Sequence, residues 1–99
     1  MISGWFDARE AEAFGNELAE FYDAKYRANE KVTNQKQREK QQKLIAQCLQ
    51  KARQYKTSHK LNFYKKAKLG NAFKWKLRDM GHDVQVSDLL TKEVLLALR

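Results

Sequence analysis

Few residues in this chain are of the types that carry out chemistry. Its 99 residues include two histidines, His59 and His82, and one cysteine, Cys48. Neither histidine has a carboxylate or a second ligand at a helical spacing typical of a metal site. No phosphate-binding, dinucleotide-binding or hydrolase motif occurs in the sequence. His82 follows a predicted helix end, so we expect it in a solvated turn. We therefore predict no enzymatic activity, no cofactor and no metal.

The carboxylates offer no better candidate for catalysis. The pairs Glu10–Glu17 and Glu12–Glu20 fall on the polar face of a predicted helix, and a carboxyl group needs burial to acquire an unusual pKa. Cys48 has no neighbouring histidine to activate it, so we expect a small buried hydrophobe. A single cysteine and an N-terminus without a signal-peptide pattern indicate a cytoplasmic protein.

Composition favours an all-α fold in a single domain, residues 1–99. The chain has no proline and only four glycines, whereas all-β folds need frequent turn residues. Its eleven aromatic residues argue against disorder. We predict a small four-helix bundle with short connections and the third helix near the centre. The predicted helices span about 8–28, 35–56, 59–80 and 88–98.

The first predicted helix is amphipathic and starts at a recognisable signal. Asp7 and Glu10 have the spacing of a capping box, which places the helix start just after Asp7. On the apolar face, Ala11, Gly15 and Ala19 lie one turn apart. Such a ridge of small residues allows a neighbouring helix to approach closely, which would justify a glycine within a helix.

A turn is predicted over residues 29–36, where the apolar periodicity stops. Thr33 and Asn34 are both suitable N-caps for the second helix. The alternative is one long helix that runs through this segment. Residues 35–43 contain no hydrophobic residue, so this part of the second helix should project beyond the core or fray.

The third predicted helix begins after Thr57 or Ser58 and has apolar residues on two opposite sides. This pattern is typical of a helix sandwiched between partners. A break at Gly70 is the alternative. The two stripes consist of Leu61, Tyr64, Ala72 and Trp75 on one side and Phe63, Leu69, Phe73 and Leu77 on the other.

The last predicted helix is apolar around almost its whole circumference. Gly81 fits the position that ends the preceding helix, and Ser87 is the predicted N-cap of the last one. A short helix with this pattern must be buried on more than one side. Either it inserts into the bundle or it packs against a second copy of itself.

The formal net charge of +8 is unevenly distributed along the chain. Residues 30–78 contain fifteen basic and two acidic residues, whereas the segments before and after are acidic. In the second helix, basic and glutamine residues recur at spacings of three and four, which places them on one stripe about 27 Å long at ~1.5 Å per residue. The candidate basic binding face consists of Lys36, Lys40, Lys43, Lys51, Lys60, Lys65, Lys66 and Lys68.

Two functions are compatible with these patterns. The first is protein–protein association, including a homodimer, through apolar residues of the last helix and of the N-terminus: Leu89, Leu95, Leu96, Trp5 and Phe6. The alternative is low-specificity nucleic-acid binding through the candidate basic face, with helix 3 aromatics stacking on bases. A lysine- and glutamine-rich face is also typical of an ordinary solvated helix, and the basic half of the second helix lacks the bulky apolar residues of a membrane-surface helix.

Overall fold

The computed structural model describes residues 2–31 and 34–99. These residues form a short helix α1 (Ile2–Phe6) and four long helices, α2 (Arg9–Asn29), α3 (Asn34–Ser58), α4 (Phe63–Asp79) and α5 (Val84–Ala97). The described residues contain no strand. The prediction of a small all-α four-helix bundle is confirmed. The first two predicted helices are separate, and Val32 and Thr33 between them lie outside the described residues.

The four long helices are arranged so that each contacts two others. Helix α2 packs against α3 and α4, and α5 packs against the same two helices from the opposite side. Helices α3 and α4 are diagonal, with no pair of described Cα atoms within 8 Å of each other. Helix α4 also contacts α1, so it touches more elements than any other helix, as expected for the predicted central helix.

The core is formed by aliphatic and small residues from all four long helices. Cys48 lies in this core at 2% exposure, which confirms it as a small buried residue, and burial raises the pKa of its thiol to about 12. The largest fully buried side chains are Leu18, Leu44, Leu69, Phe73, Leu77, Val94 and Leu98.

The predicted ridge of small residues on α2 is the contact surface for α4. Ala11 and Ala19 are buried, and between them the Gly15 backbone lies directly against α4. A Cβ atom on Gly15 would lie only 2.5 Å from the main-chain oxygen of Leu69 and 3.1 Å from the main-chain nitrogen of Phe73. Since both are backbone atoms, no side-chain rotation can make room for it.

Two other glycines also have defined roles. Helix α4 is continuous through Gly70, where a Cβ atom would lie 2.8 Å from Leu95 of α5. Gly81 ends α4 with a φ of 92°, as predicted. The amide of Gly81 donates to Arg78 and that of His82 to Leu77, so both carbonyls at the helix end are satisfied.

The predicted capping box at the start of the first helix is wrong. Helix α2 begins at Arg9 after an N-cap residue, Ala8, that provides no side-chain hydrogen bond. Asp7 instead accepts hydrogen bonds from the main-chain and side-chain nitrogens of Arg9, and Glu10 lies 2.7 Å from Nε2 of His59. Each carboxylate therefore has a basic side chain as its partner, Arg9 for Asp7 and His59 for Glu10.

The prediction that Thr57 or Ser58 starts the third helix is also wrong. Both hydroxyls donate back to the carbonyl of Gln54, so these residues extend α3 to Ser58. The N-cap of α4 is Asn62, whose side chain accepts a hydrogen bond from the Lys65 amide at 2.8 Å.

Ser87 does not cap the last helix, which begins one turn earlier than predicted. Asp83 is the N-cap and accepts a hydrogen bond from the Gln85 amide. Ser87 lies within the first turn, fully buried, and its amide donates to the carbonyl of Asp83. Its small side chain faces the core, so packing determines its position.

Neither of the two predicted apolar stripes of α4 is fully buried, because each contains an exposed aromatic residue. Leu69, Phe73 and Leu77 are in the core, but Trp75 is 53% exposed and Phe63 is 85% exposed. Helix α4 therefore packs against α2, α5 and α1, but it is not enclosed on two opposite sides, because the surface that carries Trp75 faces solvent.

We expect Gly15→Ala to destabilise the bundle. Overpacking costs about 1–3 kcal/mol and the better helix propensity of alanine recovers about 1 kcal/mol, so the net loss can reach about 2 kcal/mol. We expect a loss near this upper value, because the added Cβ atom would meet backbone atoms. Urea denaturation followed by circular dichroism measures this loss. Gly4→Ala is the control, since a Cβ atom there meets nothing within 4 Å. Equal stability of the two variants would contradict the close packing of α2 and α4.

Candidate binding surfaces

Helix α5 has a buried side and an apolar exposed side. Leu90, Val94 and Leu98 face the core. Leu89 and Leu96, two turns apart on the opposite side, are 58% and 41% exposed. Helix α5 is therefore apolar on two sides. One face packs in the core of the bundle, and the other presents leucine side chains to solvent.

The other predicted members of the association surface lie elsewhere. Leu95 is partly exposed, but its side chain packs against Gly70. Trp5 and Phe6 belong to α1, which contacts α4 and has no described Cα atom near α5. The Phe6 ring meets that of Tyr64 edge-on at a centroid distance of 5.3 Å. The structure therefore does not bring the five predicted residues together.

An apolar groove continues the exposed face of α5 towards α3. Its volume is about 510 Å³, and its lining includes Val86 and Leu89 of α5 and Ile45 of α3. Gln41, also in the lining, has a buried side-chain oxygen with no hydrogen-bond partner among the described residues. The groove thus has an apolar part next to α5 and a polar part at the end of α2 and the turn after α4, where Arg27, Glu30 and Asp83 also line it.

The predicted basic face is divided between two sides of the bundle. On α3, Lys36, Lys40, Lys43 and Lys51 are all exposed. The last three border grooves shared with α2, where the Lys51 ammonium lies 4.6 Å from the centre of the Phe21 ring.

The remaining predicted lysines are in or beside α4. Lys60, Lys65 and Lys66 line a cleft where the end of α3 meets the start of α4. Lys68 lies over the Tyr64 ring at 5.5 Å from its centre. Because α3 and α4 are diagonal, the eight lysines do not form one continuous face.

Aromatic rings and cations alternate on the solvent side of α4. The Arg78 guanidinium carbon lies 4.7 Å from the centre of the Trp75 ring, and the Lys74 ammonium lies 5.5 Å from it. Lys74 also forms an ion pair with Asp88 of α5 at 3.2 Å. The periodicity of the sequence predicts Trp75 and Phe63 in the core. Both are exposed instead, so their rings are available for stacking.

His82 occupies a buried polar site that the sequence did not predict. Its side chain is only 8% exposed, and Nε2 lies 2.8 Å from an Asp23 carboxylate oxygen. The rings of Tyr22 and Tyr26 contact it edge-on. The expectation of a solvated turn is therefore wrong, because the turn after α4 folds back onto the end of α2. In the sequence, the only local indication of this buried site is the pair of aromatic residues four positions apart in α2, Tyr22 and Tyr26.

The same site ties α2 to the end of α4. Arg27 donates to both oxygens of Asp23 at 3.0 Å and to the carbonyl of Met80 at 2.9 Å. Burial alone would raise the pKa of Asp23, but the hydrogen bonds from Arg27 and His82 outweigh it and hold this pKa below its usual value. The arrangement joins two helices electrostatically, and we assign it a structural role.

Metal ligands do not converge in residues 2–31 and 34–99: no three His, Cys, Asp or Glu side chains there are placed to hold an ion. Within the same ranges, none of the helices combines the length and apolar character needed to cross a bilayer. Comparison of the chain with protein-family models, with curated proteins and with solved structures finds no match.

We expect Asp23→Asn to make the stability of the protein less dependent on acid pH. A carboxyl group whose pKa is lowered by folding contributes stability above its unfolded pKa, and this contribution is lost as the pH falls through the folded value. The wild type should therefore lose more unfolding free energy between pH 7 and pH 3 than the variant. Urea denaturation at both pH values tests this, with exposed Asp88→Asn as the control. Equal losses in all three proteins would contradict the role of Asp23.

Proposed function

We propose that this protein is a non-enzymatic helical binding protein that associates with a second copy of itself through the exposed face of α5. The observation that supports this proposal is the row formed by Leu89 and Leu96, continued by Val86. Full burial of a leucine side chain is worth about 1.5–3 kcal/mol. Contact between two such rows would therefore remove an unfavourable exposed surface from both copies.

Charges beside the leucine row are complementary to a second copy of the same row. At 100° per residue, Lys92 and Glu93 lie on opposite sides of the line from Leu89 to Leu96. Lys92 is exposed and Glu93 is half-buried. In a parallel two-fold dimer Lys92 lies beside Glu93 of the partner subunit, whereas antiparallel pairing brings like charges together. We therefore propose the parallel arrangement.

The adjoining groove supports the same partner. Val86 and Leu89 belong both to the exposed face of α5 and to the apolar lining of the groove, so the two surfaces are continuous. A donor from the second copy would satisfy the free side-chain oxygen of Gln41.

The protein's place is a reducing compartment such as the cytoplasm, since its one cysteine, Cys48, is a buried thiol.

We expect Leu96→Glu to abolish self-association while the bundle stays folded. The substitution places a charge within the apolar row of the proposed interface, but the side chain is already 41% exposed, so the monomer should tolerate it. Sedimentation equilibrium over a concentration series should show at least a tenfold rise in the dimer dissociation constant. Phe63→Glu is the matched control, because Phe63 is exposed on α4, away from this face. A monomeric wild type at all concentrations would end the proposal.

Charge reversal separately tests the parallel orientation of the proposed dimer. Lys92→Glu should weaken the dimer by placing two carboxylates at the contact, and Lys92→Glu combined with Glu93→Lys should restore it. The same sedimentation measurement reads out both variants. If the double variant associates no more tightly than Lys92→Glu alone, the parallel arrangement is wrong.

The exposed aromatic residues of α4 favour a second candidate function, low-specificity binding of single-stranded nucleic acid. Trp75, flanked by Lys74 and Arg78, offers a stacking platform beside positive charge. The lysines of α3 lie on another side of the bundle and would not track the same strand. We rank this function second for that reason.

For this second function, Trp75→Ala should weaken binding of a fluorescent single-stranded oligonucleotide by about tenfold. Base–aromatic stacking contributes about 1–3 kcal/mol per base. Fluorescence anisotropy at low and high salt measures the affinity, which should fall steeply with salt. Leu89→Ala, another truncation of an exposed apolar side chain, is the control. An unchanged affinity for Trp75→Ala would remove α4 as the binding surface.

A further inference from the structure

The cleft between the end of α3 and the start of α4 has an unusual lining. Its volume is about 870 Å³, within the range of small-molecule sites. Four lysines line it, Lys56, Lys60, Lys65 and Lys66, and none of the other lining residues is acidic. The cleft thus concentrates positive charge in a concave surface.

Three of these ammonium groups, those of Lys60, Lys65 and Lys66, form no ion pair with a carboxylate among the described residues. No side-chain carboxylate oxygen lies within 4 Å of the Nζ atoms of Lys56, Lys60, Lys65 or Lys66, and the Lys56 ammonium donates to the main-chain oxygen of Arg99. Four cations held close together repel one another, and an anion in the cleft would relieve this repulsion.

The two nearest carboxylates are already engaged. Asp7 accepts from two guanidinium nitrogens of Arg9 at 2.9 and 3.0 Å, a bidentate pair that lowers the pKa of Asp7 to about 2. Glu10 is held by His59 at 2.7 Å. Lys65 borders a neighbouring groove with Asp7 and Glu10, and its charge also lowers the pKa of Asp7. Lys60 and Lys66 are therefore the lysines of the cleft most available to a ligand.

We propose that this cleft binds a compact anion with two or more linked phosphate groups, such as the di- or triphosphate of a nucleotide. Several lysine point charges in one concave site match several adjacent negative charges better than a single one. The Trp5 ring, 52% exposed in the lining, provides a surface on which a base can stack. The four lysines are grouped where the end of α3 meets the start of α4, which favours a small ligand over a nucleic-acid strand, because a strand needs an extended groove.

The experiment uses the full chain with Trp75→Phe, which leaves Trp5 as the single tryptophan. Tripolyphosphate, adenosine triphosphate, adenosine and orthophosphate are titrated at low salt by fluorescence and by calorimetry. We expect saturable binding of both triphosphates, at least tenfold tighter than that of adenosine or orthophosphate. Tighter binding of the nucleotide than of tripolyphosphate assigns the ligand class as nucleotide, and equal binding assigns it as polyphosphate alone.

Matched double variants distinguish binding at this cleft from a general effect of the protein's net charge. Lys60→Gln with Lys66→Gln should weaken triphosphate binding at least tenfold, whereas Lys36→Gln with Lys40→Gln, the same change of charge on the exposed start of α3, should weaken it less than twofold. Circular dichroism verifies that both fold. Equal weakening by the two pairs, or no heat and no fluorescence change with either triphosphate, overturns the proposal. Displacement of the triphosphate by a single-stranded oligonucleotide at lower concentration would instead assign the cleft to nucleic acid.

Discussion

The close approach of α2 and α4 at Gly15 is the constraint from which the rest of the bundle follows. The absence of a side chain there allows the backbone of α4 to lie against the backbone of α2, with Leu69 and Phe73 at the contact. Because α4 occupies this side of α2, α3 packs on another side and ends diagonal to α4. Helix α5 then closes the bundle between α3 and α4.

This arrangement determines which surfaces are available for binding. The lysines at 36–51 in α3 and those of α4 lie on different sides of the bundle, and α2, which contacts both helices, carries the exposed carboxylates of Glu12, Glu17 and Glu20. Only Lys56, at the end of α3, lies with the lysines at the start of α4. A single extended basic face does not form. What remains are two local features, a lysine-lined cleft at one end and the leucine row of α5, which suit a small anion and an apolar partner respectively.

Features set by local sequence could be predicted, and those set by tertiary packing could not. Gly15 and Gly81 were interpreted correctly, because close helix approach and a positive φ each require glycine. Serine is a residue type preferred at helix N-caps, but Ser87 lies in the core. His82 became a buried partner only because a turn folds back on α2, and Trp75 is exposed because no helix covers that side of α4. Likewise, the grouping of the lysines depends on which helices are neighbours.

Native-state amide hydrogen exchange tests the central role of the α2–α4 contact most directly. If this contact holds the bundle together, the amides around Gly15 in α2 and around Phe73 in α4 should exchange only through global unfolding. Those of residues 35–43, where α3 extends with mostly exposed side chains, should exchange orders of magnitude faster. Exchange around Gly15 as fast as that of residues 35–43 would contradict this account.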